Sequence, residues 1–282
     1  MPASVQIIPT AFSLASVFCW GTSDFLGGYA CKRSNAFSVT TLVQASGFLL
    51  LMTVNSLAPS PLPPRASMLW AMAAGALGGT ALAVFYQALA SGARGLTAPV
   101  ASLVGAAIPT AYGMARQGIP TATPIAGFAI AALGIWLISR PDGAPAESKG
   151  LGMAVLSGVG FAGFILCIHQ VGDSSAVWSA AFSRLASCML LAMVVVAQGP
   201  ESKLVMRDAW LAALAGCLDV TGTALFIRAN QTGRLDSAVV ITSLYPAVTV
   251  VLARVLLREH FTRWKAAGIL AALTAVPLIA WQ

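Results

Sequence analysis

The amino-acid sequence predicts an all-α membrane protein with about ten transmembrane helices, arranged as two inverted repeats of five. Three features support this prediction: a composition too apolar for water, successive hydrophobic runs of membrane-spanning length, and a likeness between the two halves. Of 282 residues, 58% are hydrophobic and only 9% are charged, whereas soluble proteins carry roughly 25% charged residues. Lipid is therefore the expected solvent for most of the surface.

The hydrophobic runs have the length that a membrane requires. A helix needs about 20 apolar residues to cross the hydrocarbon core. The runs must be helices because unpaired backbone polar groups are prohibitive in lipid, and they lack the polar alternation of a barrel lumen. The ten predicted spans are 9–30, 37–57, 67–91, 95–115, 121–139, 150–171, 175–197, 209–231, 236–257 and 264–281.

The two halves of the chain match at a nearly constant offset. A shift of 141 places Gly75 on Gly216 and Gly127 on Gly268. Since five helices are an odd number, the second repeat enters the membrane from the opposite side, as in many secondary transporters.

The most polar connection, RPDGAPAESK at 140–149, separates five runs from five. We predict that it links a first repeat at 1–139 to a second repeat at 150–282.

Positively charged residues suggest an orientation. Ten Lys and Arg residues lie in connections after odd-numbered helices, against at most four on the other side. The positive-inside rule then places the odd-numbered connections in the cytoplasm and both termini outside. The N-terminus lacks the pattern of a cleaved signal, so we expect the first run to remain as a span. The expected location is the inner (plasma) membrane.

The net charge of +7 does not indicate nucleic-acid binding, because the basic residues occur singly or in pairs and form no stripe. The five cysteines lack the spacing of a metal site. We therefore predict no catalytic residue, metal or cofactor. The expected partners are a small-molecule substrate and the lipid bilayer, and a homodimer remains an open alternative.

Three stretches carry a family resemblance. They are WGTSDFLGGYACKR at 20–33, LYPAVTVVLARVLLREH at 244–260, and the start of the last helix around Gly268, which Gly127 matches in the first half. The chain resembles the EamA-like branch of the drug/metabolite transporter superfamily over essentially all ten helices. One departure is Arg116–Gln117–Gly118, where the family often has Gly-Glu.

The resemblance implies a secondary carrier for small metabolites that works by alternating access, often in the export direction. It also implies a penultimate helix with a mid-helix Pro246 and a closing acidic residue, Glu259. Termini in this family are commonly cytoplasmic, which conflicts with the orientation that the charge count predicts.

Three ionisable residues fall well inside predicted helices: Asp24, Arg184 and Asp219. Such groups are costly in a membrane unless they are paired or hydrated, so each is a functional candidate. Arg184 and Asp219 lie near the midplane and can meet. Either they form a structural ion pair, or Arg184 receives a substrate carboxylate while Asp219 orients the substrate.

Two residues are candidates for proton coupling. Asp24 has no basic partner at equal depth in its own half, so its carboxylate can exchange a proton near neutral pH. The alternative for Asp24 is a hydrogen-bonded helix bend. His169 can also cycle protons, but its place near the end of the sixth helix also fits an interfacial histidine.

Other candidates are aromatic, amide and proline residues. Trp20, Tyr86 and Tyr245 either line the substrate cavity or pack between helices. Amides such as Gln44 and Asn230 are more typical of hydrogen bonds between helices. Pro109 and Pro246 occupy matching places and are candidates for gating, because each removes a mid-helix hydrogen bond. Each of these residues is a candidate because of its type and its position in the sequence alone.

The favoured function is a proton- or gradient-driven carrier of amino-acid-like or related polar solutes, with export favoured over uptake. The alternatives are an exporter of cationic or aromatic drug-like compounds and a membrane sensor that does not transport. An intramembrane enzyme is not favoured, because the two histidines lack an HExxH-like spacing.

Overall fold

A computed structural model describes residues 4–90, 94–138, 150–199, 203–258 and 262–281. Within these ranges the chain forms eleven α-helices and no strand. They are α1 (Ser4–Ala30), α2 (Ala36–Leu57), α3 (Arg65–Ala90), α4 (Arg94–Gln117), α5 (Ala122–Ile138), α6 (Leu151–His169), α7 (Ala176–Gln198), α8 (Met206–Thr232), α9 (Leu235–Thr242), α10 (Tyr245–Leu257) and α11 (Arg263–Ala280). The predicted linker at 140–149 and Glu259 lie outside the described residues.

The chain is a multi-pass membrane protein. In the described part, seven segments are long and apolar enough to cross a membrane: α2, α3, α6, α7, α8, the segment Leu235–Leu257, which contains both α9 and α10, and α11. The apolar α5 is shorter, at 17 residues. The helices α1 and α4 contain 27 and 24 residues and exceed the length that the hydrocarbon core requires.

The ninth predicted span is two helices and not one. Regular α-helical hydrogen bonding is interrupted at Ser243 and Leu244, although both keep right-handed backbone angles, and the Leu244 N–H bonds the Ile241 carbonyl at 3.1 Å in a tighter turn. Pro246 explains the break, because its ring lacks an N–H and clashes with the carbonyl four residues earlier, that of Thr242. The prediction of a mid-helix Pro246 is therefore wrong: this proline lies in the first turn of α10.

Connecting turns lie at two opposite faces of the helix bundle. At one face, Trp178 Nε1 donates to the Ser60 carbonyl at 2.9 Å and Gln231 Nε2 to the Ser174 carbonyl at 2.8 Å. The first bond joins the start of α7 to the turn after α2, and the second joins the end of α8 to the turn after α6. We call this the first face. At the second face, Asn35 N–H donates to the Lys203 carbonyl at 2.8 Å, which joins the turns after α1 and α7. The ends of α2, α6 and α8 thus lie at the first face, and the ends of α1 and α7 lie at the second.

The helices pack in matched pairs. The helix α1 packs against α8, α9 and α10, while α6 packs against α3 and α4. Likewise α2 packs against α8, and α7 against α3. The remaining large interfaces join α2 to α7, α5 to α11 and α4 to α9. These interfaces are related by exchanging each helix with a counterpart: α1 with α6, α2 with α7, α3 with α8, α4 with α9–α10, and α5 with α11. Under this exchange the α1–α8 interface, for example, corresponds to the α6–α3 interface, and the α2–α7 interface corresponds to itself.

Glycines allow the closest of these contacts. A Cβ at Gly127 would lie 2.7 Å from Ile279, and one at Gly268 would lie 2.7 Å from Ile138. On α3, a Cβ at Gly75 would lie 2.7 Å from the carbonyl carbon of Ser183 on α7. Backbone atoms cannot move aside as a flexible side chain can, so only glycine fits at this point of the α3–α7 interface.

We expect Gly75→Ala to destabilise the protein by about 1–3 kcal/mol, because the added methyl overlaps the backbone of α7. The matched control is Gly152→Ala on α6, where a Cβ would meet no atom within 4 Å. Since alanine favours helices over glycine, this control should be neutral or stabilising. Unfolding in mixed micelles, followed by circular dichroism, compares the two, and equal stability for both variants would contradict the packing argument.

Candidate functional site

A cavity lies between the two groups of helices. Its walls come from α1, α8, α9 and α10 on one side and from α3, α4 and α6 on the other, with α7 contributing Ser183, Arg184 and Ser187. It holds about 750 Å³ of space outside protein atoms, including the part open to solvent.

The break between α9 and α10 lies in the cavity wall. Thr242, Ser243 and Tyr245 line the cavity at this point. Across the cavity wall, the Ser102 hydroxyl of α4 donates to the Ser243 carbonyl at 2.6 Å, so one of the carbonyls at the break is satisfied by a side chain. Irregular backbone at membrane depth is tolerated where it is buried in protein or lines a cavity, and this break meets both conditions.

Arg184 forms the most extensive polar network of the cavity. Its NH1 lies 2.9 Å from Asp219 Oδ2 and donates to Gln44 Oε1 at 2.6 Å, while NH2 donates to the Thr223 hydroxyl. The prediction that Arg184 and Asp219 can meet is confirmed. The network joins α2, α7 and α8, and Trp20 Nε1 extends it to α1 by donating to the Asp219 carbonyl at 3.2 Å.

Asp24 stands apart from this network. It lines the cavity, and only 9% of it is exposed. The ion pairs formed within the described ranges are Arg184–Asp219 and Arg234–Asp236, so Asp24 has no counter-ion among the described residues. A buried carboxylate without a counter-ion is poorly solvated and attracts a proton or a cationic ligand.

The structure brings together five of the predicted site residues. Trp20, Asp24, Arg184, Asp219 and Tyr245 all line the cavity, although they come from four different helices. The tilted ring of Phe226 packs beside Trp20, with centroids 5.5 Å apart. This contact holds the indole at the edge of the cavity.

Four other candidates do not line the cavity. Tyr86 is fully buried, because the absent side chain of Gly27 leaves room for its ring between α3 and α1. His169 ends α6, and its Nδ1 lies 3.1 Å from Asn230 Oδ1. The two prolines also lie outside the lining, Pro109 within α4 and Pro246 at the start of α10.

The sequence analysis missed the hydroxyl groups of the cavity. Ser102, Ser183, Thr223 and Thr242 line it, and serine and threonine are too common in membrane helices to be singled out by type. One signal was present in the sequence: Ser102 and Ser243 are separated by the repeat offset of 141, and they meet across the cavity wall.

Comparisons with known proteins give a family match in the second half of the chain and a shared fold. The sequence model of the EamA-like transporter family matches residues 148–281. No curated protein matches the chain. Twenty-six chains of solved structures match. One of them, described only as "Crystal structure of protein", has a TM-score of 0.76 and 16% sequence identity over 96% of this chain and 95% of its own. At that identity, the likeness shows a shared fold.

We expect Asp219→Asn to destabilise the protein by about 3–5 kcal/mol, because it leaves the Arg184 guanidinium buried without its counter-ion. The double variant Arg184→Met/Asp219→Leu should recover much of this loss, since it removes both charges. The control is Arg228→Gln, an exposed arginine on the same helix as Asp219. A double-mutant cycle of unfolding free energies in mixed micelles measures the coupling, and additive losses would show that the two charges do not depend on each other.

Proposed function

Because residues 148–281 match the sequence model of the EamA-like transporter family, we propose that this protein is a secondary transporter of small metabolites. It works by alternating access in the inner (plasma) membrane. The cavity between the two groups of helices is its substrate site, and amino-acid-like or related polar solutes are the first candidates. Export is the favoured direction.

One observation carries this proposal. A cavity that is lined by buried charged groups lies beside a break in a membrane-spanning segment. Secondary transporters place their sites near the midplane, at such discontinuous helices and between repeats. A protein that only packed its helices would gain nothing from carrying Asp24 and a broken ninth span in the same cavity.

The helix packing supports two inverted repeats of five spans, at 1–139 and 150–282. Exchanging α1 with α6, and each later span with its counterpart, maps the interfaces of the bundle onto one another. The glycine contacts follow the same exchange: Gly127 meets Ile279, and Gly268 meets Ile138. Both pairs of counterparts, Gly127 with Gly268 and Ile138 with Ile279, are separated by 141 residues.

Alternating access then requires that the two groups of helices separate at one face at a time. At the first face, Arg234 NH2 donates to the Gly118 carbonyl at 2.6 Å and lies 2.7 Å from Asp236, which ties α4 to α9. At the second face, Gly27 and Gly28 of α1 pack against Tyr86 and Leu89 of α3. We assign these contacts as the two closures, one polar and one apolar. Pro109 and Pro246 lie on the helices that must move.

Asp24 is the proton site in this proposal. It is buried, lines the cavity and has no counter-ion in the described part of the chain, so protonation removes an unbalanced charge from a site of low dielectric constant. His169 is the second candidate, but its hydrogen bond to Asn230 links α6 to α8 at the first face, away from the cavity lining.

We expect gradient-driven accumulation in proteoliposomes to be lost in Asp24→Asn, because an amide cannot exchange a proton at neutral pH. A panel of radiolabelled amino acids, amines and other polar metabolites is tested with and without an imposed pH gradient. At saturating substrate concentration, Asp24→Asn should still exchange labelled for unlabelled substrate, since the cavity and its closures remain.

The matched control is Asp173→Asn, which changes an exposed aspartate in the turn after α6. It should accumulate substrate like the parent protein. Normal pH-dependent accumulation by Asp24→Asn would remove Asp24 from the coupling mechanism. A folded, reconstituted parent protein that moves no member of the panel would favour the membrane sensor, which needs no substrate flux.

A further inference from the structure

Part of the cavity lining consists of counterparts from the two halves of the chain. Trp20 and Phe161 both line the cavity and are separated by 141 residues. Ser102 and Ser243 also both line it and have the same separation. In both pairs the chemistry is alike, with two aromatic rings in one and two hydroxyls in the other. The cavity is therefore built twice, once from α1, α8, α9 and α10 and once from α6, α3 and α4.

Other counterparts differ in one consistent direction. Three such pairs at the same offset are Asp24 with Ile165, Thr223 with Leu82, and Asp219 with Gly78. A fourth is Thr242 with Ala101. In every pair the polar member lies on α1, α8 or α9, and the apolar member or glycine lies on α6, α3 or α4. One half of the cavity is thus polar and its counterpart is apolar.

The charged side chains that line the cavity are Asp24, Arg184 and Asp219, and they leave one negative charge in excess. Arg184 and Asp219 neutralise each other at 2.9 Å, and the NH1 and NH2 groups of Arg184 are engaged by Asp219, Gln44 and Thr223. Of the arginine donors only Nε lacks a partner among the described residues. A substrate carboxylate at Nε would share this single cation with Asp219 and would also face Asp24, so an anion is disfavoured.

We infer that the cavity binds an amphipathic organic cation in one orientation. The ammonium group lies at Asp24, and the apolar body lies in the apolar half formed by α6, α3 and α4. Phe161, Phe164 and Ile165 form the wall that receives the apolar body. Arg184 is a positioning residue that holds α2, α7 and α8 around the site and does not bind a substrate carboxylate. This inference rests on the proposed transport function, and it narrows the substrate class of the same cavity from amino-acid-like and related polar solutes to amphipathic amines without a carboxylate.

The test is a ligand series that differs only in its charged group. Phenethylamine, phenethyl alcohol and 3-phenylpropionate share one apolar body, and the amine is protonated at neutral pH because its basicity is close to that of a lysine side chain. Equilibrium dialysis with parent protein in lipid nanodiscs measures the three affinities. We expect the amine to bind about tenfold or more tightly than the alcohol, since its charged ammonium group donates to Asp24 where the alcohol offers only a neutral hydroxyl. The carboxylate should bind most weakly.

Two variants assign the preference to Asp24. Asp24→Asn should bind the amine and the alcohol equally, whereas Asp173→Asn should behave as the parent protein. In Asp24→Asn/Ile165→Asp the carboxylate moves to the counterpart position, and the preference for the amine should return. Because the ligand series on the parent protein uses no variant, it stands even if a variant fails to fold.

Equal affinities for the three ligands, tightest binding of the carboxylate, or no binding of any of them would overturn the inference. Binding does not depend on flux, so the two claims fail separately. An amine preference without transport would contradict only the carrier, while transport of carboxylates without an amine preference would contradict only the substrate class.

Discussion

A guanidinium group inside an apolar helix bundle is stable only if its charge and its donors are satisfied, and much of the site follows from how Arg184 meets this condition. Asp219 supplies the counter-charge, while Gln44 and Thr223 accept hydrogen bonds. These partners lie on α2 and α8, so the helices around α7 are held in one arrangement. The same network fixes the charge balance of the cavity. Because Arg184 is neutralised, the carboxylate of Asp24 is left as the unbalanced charge.

The second constraint is that backbone polar groups must be satisfied at membrane depth. The break at Ser243 and Leu244 violates helical bonding, and the protein accommodates it by placing it in the cavity wall, where Ser102 bonds the Ser243 carbonyl. The break and the charges thus occupy one site. Four polar lining residues on α1, α8 and α9 each have an apolar residue or glycine 141 positions away in the lining, on α6, α3 or α4, so the cavity has a polar and an apolar half.

Much of the fold could be predicted because lipid imposes simple rules on sequence. The number and placement of the helical runs follow from hydrophobic length, and the pairing of Arg184 with Asp219 follows from equal depth. The break in the ninth span was missed, since a proline alone does not distinguish a kinked helix from a first-turn residue. The sequence left Tyr86 open between lining the cavity and packing between helices, because the space for its ring depends on Gly27, a residue in another helix. Residue type and sequence spacing carry no information about such contacts between distant segments.

Access to the cavity from both faces tests the central claim most directly. Ala106 lines the cavity, and Ala106→Cys in a protein whose five native cysteines are replaced provides a single thiol for a charged, membrane-impermeant reagent. Sealed vesicles of known orientation expose either the first or the second face to that reagent. Alternating access predicts that the thiol reacts from both faces, and that conditions which speed the reaction from one face slow it from the other. Reaction from one face only, under every condition that leaves the protein folded, would contradict the account.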